Sequence, residues 1–263
     1  MTFSFDLISD LHLETWDSEF DWSDQATSLY CVVAGDITRD REKLVEILTH
    51  LGKKYMGVFY IDGNDEHRYS LDQIGTSYQE LELAVSDIKN VVWLHGSCVV
   101  INGVAFLGTN GWWTYDFELD MDMEQCIQWN ADRYNISLGS ALALREVAVT
   151  DAVYFVNSIR KLQTQPDVKS IVLITHTVPA SWIIEHDVDL ADSWRFNCMG
   201  NSYITRCLEE DTMNKISTWC FGHYHKPVDT MRDGVRYISN CRGRGDTEWK
   251  QPTYYPKKIT IES

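Results

Sequence analysis

Apolar positions recur along this chain with two distinct periods. Phe3, Phe5 and Leu7 alternate with more polar neighbours, and LYCVVAG (29–35), VFYIDG (58–63), IVLITH (171–176) and TWCFGH (218–223) are short apolar runs rich in β-branched and aromatic residues. Such runs predict core strands. Between them the pattern turns helical over 41–51, 70–89, 123–134, 140–162 and 203–210, so strand and helix alternate and the fold class is α/β. Two hairpin signals interrupt the rhythm: Asn102-Gly103 between CVVI and VAFLG, and Asp233-Gly234 between VDTM and VRYIS. Each dipeptide supplies the positive φ that a type I′ turn requires, so the sheets are expected to be mixed. With no repeat, low-complexity tract or Pro/Ser-rich linker, 1–263 reads as a single domain. Residues 110–140, carrying Trp112, Trp113, Met121, Met123 and Trp129, are the expected place for an inserted cap, although aromatic and Met residues at this spacing commonly serve packing.

Composition narrows the function classes. The chain has 263 residues, 44% of them apolar, enough for a substantial core, and no apolar run approaches the ~20 residues that a membrane helix needs. The first ten residues lead straight into strand-like sequence, without a basic region followed by an apolar stretch. Seven Cys without a CxxC pair suggest neither a disulfide framework nor a zinc ribbon. The expectation is a cytoplasmic protein with buried thiols. A net charge of -16 opposes any broad, sequence-blind grip on a nucleic acid backbone, so extended nucleic acid is not an expected partner. The charge is uneven, with +3 from Lys226 onward and -19 before it. That basic segment is either a solvated face or a rim that attracts phosphate.

The candidate chemistry lies at the ends of the predicted strands. Asp10 and His12 follow FDLIS, Asp36 follows VVAG, Asn64 follows YIDG, His176 follows VLIT, and His223 and His225 follow CFG. In open α/β sheets ligands gather beyond the carboxyl ends of strands, so positions scattered in sequence converge in one pocket. Gly35, Gly63 and Gly222 stand immediately before Asp36, Asn64 and His223 and permit tight turns there. Seven N and O donors exceed what one ion takes and suit two ions that share a bridging carboxylate and clamp an in-line phosphoryl displacement. Mixed imidazole and carboxylate donors accommodate two divalent transition-metal ions, Mn²⁺ first, with Fe, Zn, Co or Ni as alternatives. No G-x-S-x-G, P-loop or H-E-x-x-H is present, which removes the usual support for a serine hydrolase, an NTPase or a zincin. His50, His95 and His186 show no partner spacing and read as ordinary surface or core residues.

The ordered series Asp10-Leu-His12, Gly35-Asp36, Gly63-Asn64, His176 and Gly222-His223-Tyr-His225 resembles the calcineurin-like metallophosphoesterase family, in the family's order. Gly108-Thr109 near Trp112, and Ser239-Asn240-Cys-Arg242-Gly243, also look like its compact bacterial and phage members. The resemblance implies a four-layer αββα sandwich of two mixed sheets flanked by helices. It also implies that Asp10, His12, Asp36 and His225 hold one metal and Asp36, Asn64, His176 and His223 the other, with Asp36 as the bridge. A hydroxide between the ions would then attack phosphorus directly in a small phosphomonoester or phosphodiester, such as a nucleotide. A 3′–5′ exonuclease-like nuclease of the same superfamily and a catalytically degenerate metal-binding scaffold are the alternatives.

One motif departs from the family. Its third motif reads Gly-Asn-His followed by an acidic residue, where that His contacts phosphate and assists the leaving group; this chain has Gly63-Asn64-Asp65-Glu66-His67. Three outcomes are open: Asp65 acts as proton donor with a raised pKa, His67 reaches back into the site, or leaving-group assistance is weakened. Arg242 is expected to bind substrate phosphate through its guanidinium. The oligomeric state is not legible.

Overall fold

Along a strand, successive side chains face opposite sides of the sheet, and that alternation sorts this chain into four layers. The computed structural model describes residues 2–17, 20, 25–117, 122–187 and 194–262. One sheet contains β1 (Thr2–Ile8), β2 (Tyr30–Ala34), β3 (Gly57–Ile61), β4 (Val91–Trp93) and β11 (Lys257–Glu262) in the order β11-β1-β2-β3-β4. The other contains β5 (Ser97–Ile101), β6 (Val104–Thr109), β7 (Ser170–Thr175), β8 (Ile216–Phe221), β9 (Val228–Arg232) and β10 (Val235–Ser239) in the order β5-β6-β7-β8-β10-β9. Inner strands of both sheets run parallel, and the antiparallel pairings are β11 on β1, β5 on β6 and β9 on β10. Both predicted hairpins are present, with φ of 51° and 84° at Asn102 and Gly103 and 50° and 81° at Asp233 and Gly234.

Phe5, Leu7, Val32, Ala34, Phe59 and Ile61 of the first sheet meet Phe106, Val172, Ile174, Cys220 and Ile238 of the second in one apolar layer. Phe106 stacks on Phe59 at 4.4 Å between ring centroids, a separation that suits aromatic pairs. The intervening residues of the first sheet, among them Cys31, Val33, Val58 and Tyr60, face α1 (Arg41–Lys54) and α2 (Ile74–Val85). Those of the second, including Leu107, Ile171, Leu173 and Trp219, face α4 (Leu138–Leu162) and α5 (Arg206–Glu210). Helix, sheet, sheet and helix follow one another as the resemblance implies.

Helix ends differ modestly from the periodicity. The pattern over 70–89 becomes a 3₁₀ turn at Leu71–Gln73 followed by α2, and α5 begins at Arg206 rather than 203, because 3₁₀ turns and tight turns take up the terminal hydrogen bonds. Of the 110–140 segment, Met121 lies outside the described residues. Trp112, Trp113 and Tyr115 are fully buried and pack with Cys126 and Ile127 of α3 (Met123–Tyr134) and with Ala141 and Leu144 of α4.

Candidate metal centre

The parallel strands β1, β2, β3, β7 and β8 all point their carboxyl ends toward one edge of the sandwich, and the loops leaving those ends are laced together. The Asp10 N–H donates to Gly35 O, His12 N–H to Asp36 O and Gly222 N–H to His176 O. Five of the seven candidate ligands hold left-handed backbone, with φ of 51° at Asp10, 42° at His12, 53° at Asp36, 65° at His223 and 64° at His225. Non-glycine residues rarely adopt this region, and such strain gathers where the surrounding structure enforces a functional geometry. Gly222 lies so close that a Cβ there would stand 2.5 Å from Asp10 Oδ2.

The donor atoms form two groups that share one residue. Ligand atoms of Asp10, His12, Asp36 and His225 lie within 4.8 Å of one another, and so do those of Asp36, His176 and His223. Asn64 joins the second group, its Oδ1 being 3.2 Å from His176 Nε2. Hydrogen bonds on the far side of the rings select which nitrogen faces inward. His176 Nδ1 pairs with Ala34 O at 2.9 Å, His12 Nδ1 with Asp65 Oδ2 at 3.1 Å, and His223 Nε2 with Cys198 O at 3.2 Å. In each neutral ring the remaining nitrogen turns its lone pair to the centre.

This donor set fits divalent cations. His176 Nε2 faces Asn64 Oδ1 and, at 3.3 Å, Asp36 Oδ2, so three acceptors converge unless a proton lies among them. His12 Nε2 and His225 Nε2 are 2.9 Å apart, and Asp10 Oδ2 is buried with no hydrogen-bond partner. Buried acceptors without donors are costly, and a shared cation satisfies all of them. The electrostatics agree: burial and the neighbouring Asp36 push Asp10 up to about 6, and burial with His176 nearby pushes His223 down to about 3. Burial also disfavours charge on His176, but Asp36 outweighs it and pushes that imidazole up to about 10. A ligating His must be neutral, so metal uptake displaces this proton. Loading Mn²⁺ at pH 7 is therefore expected to release at least about one proton per chain, measured by calorimetry in buffers of differing ionisation enthalpy; uptake with no proton release would contradict the His176 assignment.

Glu66 organises these loops, a role no spacing indicated. Its buried carboxylate accepts from Asp36 N at 3.0 Å, Ile37 N at 2.7 Å and Gly63 N at 2.7 Å, tying the β2 loop to the β3 loop. Burial beside Asp36 pushes its pKa up to about 8, against three N–H bonds that favour the charged form. The only trace in sequence is the acidic residue that closes the third motif.

Asp65 does reach the site, but as an acceptor. Its carboxylate receives His12 Nδ1, Arg39 Nε at 3.0 Å, Arg39 Nη2 and Arg244 Nη1 at 3.4 Å, while its own N–H donates to Asp36 Oδ1 at 2.7 Å. Burial opposes its charge, yet His12 and Arg39 hold it well below the usual carboxylate range. The raised pKa expected of a proton donor is replaced by a firmly ionised group that orients a candidate ligand histidine.

His67 and Arg242 are not brought to the cavity. The 3₁₀ turn Asp65–His67 directs the His67 ring inward, where it pairs with Asp62 Oδ2 at 3.0 Å and Ser77 Oγ at 2.8 Å and packs on Tyr78 and Trp112. Asp62 also accepts from Trp93 Nε1 and Asn110 Nδ2, so the expected reach-back is forestalled by a satisfied buried network. Arg242 is 2% exposed, with its guanidinium over the rings of Trp16 at 3.8 Å and Phe20 at 4.7 Å. Stacking there keeps it out of the cavity lining. Of the basic segment from Lys226 onward, Arg244 is the cation that lines the cavity.

The cavity itself has a volume of about 410 Å³ and opens beside His12, Asp36, Asn64, His223 and His225. Five arginines line it: Arg39, Arg68, Arg133, Arg195 and Arg244. In a chain of net charge -16 this local reversal focuses anions onto the donor cluster. Among the described residues, no helix is long and apolar enough to cross a membrane.

No protein-family model and no curated protein matches the sequence. Solved structures do match. The phosphopantetheinyl hydrolase of Mycobacterium tuberculosis superposes with a TM-score of 0.71 at 17% identity, covering 97% of this chain and 95% of that one. A dimetal phosphatase from Danio rerio superposes with a TM-score of 0.53 at 14% identity, covering 97% and 91%. At these identities the likeness is one of fold, and it spans both chains almost completely. Two mixed sheets and their flanking helices agree with these neighbours, and the chain has the fold of the calcineurin-like metallophosphoesterases.

Proposed function

We propose that this chain is a dimetal-dependent phosphoesterase that hydrolyses a small phosphomonoester or phosphodiester. The observation that carries the reading is the convergence of seven N and O donors from five loops into two groups sharing Asp36. Asp10, His12, Asp36 and His225 would hold one ion, and Asp36, Asn64, His176 and His223 the other. Two such ions, Mn²⁺ being our first choice, supply charge neutralisation on the phosphate oxygens and an acidified water near neutral pH.

The chain's own residues do the rest. Asp36 spans both groups and sets their separation. Asp65 holds His12 by its Nδ1–H, and Glu66 anchors the backbone at Asp36 and Ile37 and at Gly63 just before Asn64. Arg39 and Arg244 lie against Asp65 at the cavity wall, where their remaining N–H groups face an incoming phosphate and favour its approach. No imidazole occupies the third-motif position, so substrates with good leaving groups should be favoured over alkyl esters.

The test is hydrolysis of nitrophenyl phosphate and its bis-ester after chelation and Mn²⁺ add-back, with bound metal counted. Turnover restored by Mn²⁺ in step with about two ions per chain is expected, and the preferred ester identifies the substrate class. Two ions without turnover on any ester would support the scaffold alternative, and turnover that survives complete chelation would overturn the dimetal assignment.

A further inference from the structure

The five cavity arginines fall into two sets. Arg39 and Arg244 pair with Asp65. Arg68 and Arg133 form no ion pair with a carboxylate among the described residues. They are nevertheless well placed: the Arg68 guanidinium lies 4.3 Å from the centre of the Tyr134 ring and its Nη2 donates to Arg133 O at 3.4 Å, while the Arg133 guanidinium lies 5.4 Å from the Trp129 ring. Tyr134 is itself stacked on Trp113, and Trp113 on His223, so a continuous stack of rings connects this wall to the metal centre. Aromatic faces hold the cations without neutralising them and reduce the ordering cost of a later contact.

Arg195 borders the same cavity. Burial together with the Arg133 charge holds its guanidinium below the ordinary arginine range, while the Asp187 carboxylate acts in the opposite direction. The hydrolytic phosphate, drawn to the donor cluster and to Arg39 and Arg244, does not need Arg68 and Arg133.

Resting on the phosphoesterase reading, we infer that Arg133 and Arg68 form a second anion subsite, and that the substrate is a phosphoester bearing a second phosphate group remote from the bond that is cleaved. A cavity of about 410 Å³ accommodates such a molecule, since ligand pockets span roughly 300–1,000 Å³. Nitrophenyl phosphate would fill only the metal end.

Two measurements test this on the full chain. With Mn²⁺ bound, kcat/KM is compared for short α,ω-alkanediol bisphosphates and for alkyl monophosphates of equal length. In the chelated protein, binding of inorganic pyrophosphate is measured by calorimetry. A charge-assisted contact is worth enough that the bisphosphate should be preferred by about tenfold or more, and Arg133→Ala should abolish most of that ratio and weaken pyrophosphate binding by about tenfold. Arg133 is exposed on α3, so the substitution leaves the core intact, and Arg133→Lys should recover part of both effects. If no ester is turned over yet Arg133→Ala still weakens pyrophosphate binding, the subsite stands and the phosphoesterase reading falls. If both ester types are hydrolysed with equal kcat/KM and pyrophosphate binds Arg133→Ala as tightly as the parent, the subsite is overturned and the phosphoesterase reading survives.

Discussion

An Asp36→Asn chain is expected to hydrolyse phosphate esters at least about 10³-fold more slowly than the parent, because metal-derived charge stabilisation is worth several kcal/mol and each 1.36 kcal/mol is tenfold in rate. Asp36 is the residue common to both donor groups, so its loss affects both ions at once. The amide keeps the shape and can still accept from Asp65 N–H, but it removes the negative charge between His12 Nε2 and His176 Nε2, which lie 3.7 Å and 3.3 Å from Asp36 Oδ2. Metal analysis should therefore show fewer ions per chain, with the fold intact by circular dichroism. An Asp36→Asn protein that binds two ions and retains full turnover would refute the bridging role.

Asp65→Asn should lower activity or metal affinity by about 10- to 100-fold, the usual cost of losing a group that orients a metal-bound histidine. The change removes the charge that accepts from His12 and pairs with Arg39 and Arg244. The pH profile separates this role from proton donation. An orienting carboxylate held well below its usual range stays charged throughout the neutral region, so the parent's profile should carry no limb that vanishes in Asp65→Asn. Asp65→His, which restores the residue usual in the family, should reduce turnover because it places an imidazole against two guanidiniums. Faster hydrolysis of alkyl phosphates by Asp65→His would show instead that the site lacks only its acid.

The inner strands and the gathering of candidate donors at their ends were legible because both follow from local pattern. The apolar runs in VVAG, VLIT and CFG mark strands buried on both faces, and the donors sit where those strands must end. The inward turn of His67 was not legible, since one 3₁₀ turn decides whether its ring meets the cavity or Asp62, and Tyr78 and Trp112 pack against that ring from distant parts of the chain. Arg242 escaped for a similar reason: Trp16 and Phe20 are far from it in sequence and nothing local announces the stack. The cationic lining was hidden most completely. Arg39, Arg68, Arg133, Arg195 and Arg244 come from five separate segments, and a net charge of -16 gives no hint that they share one cavity.

The wide dispersal of the donors also constrains when the centre forms. Asp10, His12, Asp36 and Asn64 leave the ribosome first, and the roughly 160 residues that separate Asn64 from His225 take roughly 10–30 s to synthesise. Early in that interval the emerging chain carries both donor groups incomplete, and throughout it lacks β11, the strand that pairs with β1 along its length. Ions captured by such a fragment would be held by too few ligands to discriminate among metals. Ions held by both complete donor groups would therefore be taken up only after His225 has joined them and β11 has paired with β1, and their identity would be set by the metal pool that the folded chain then meets.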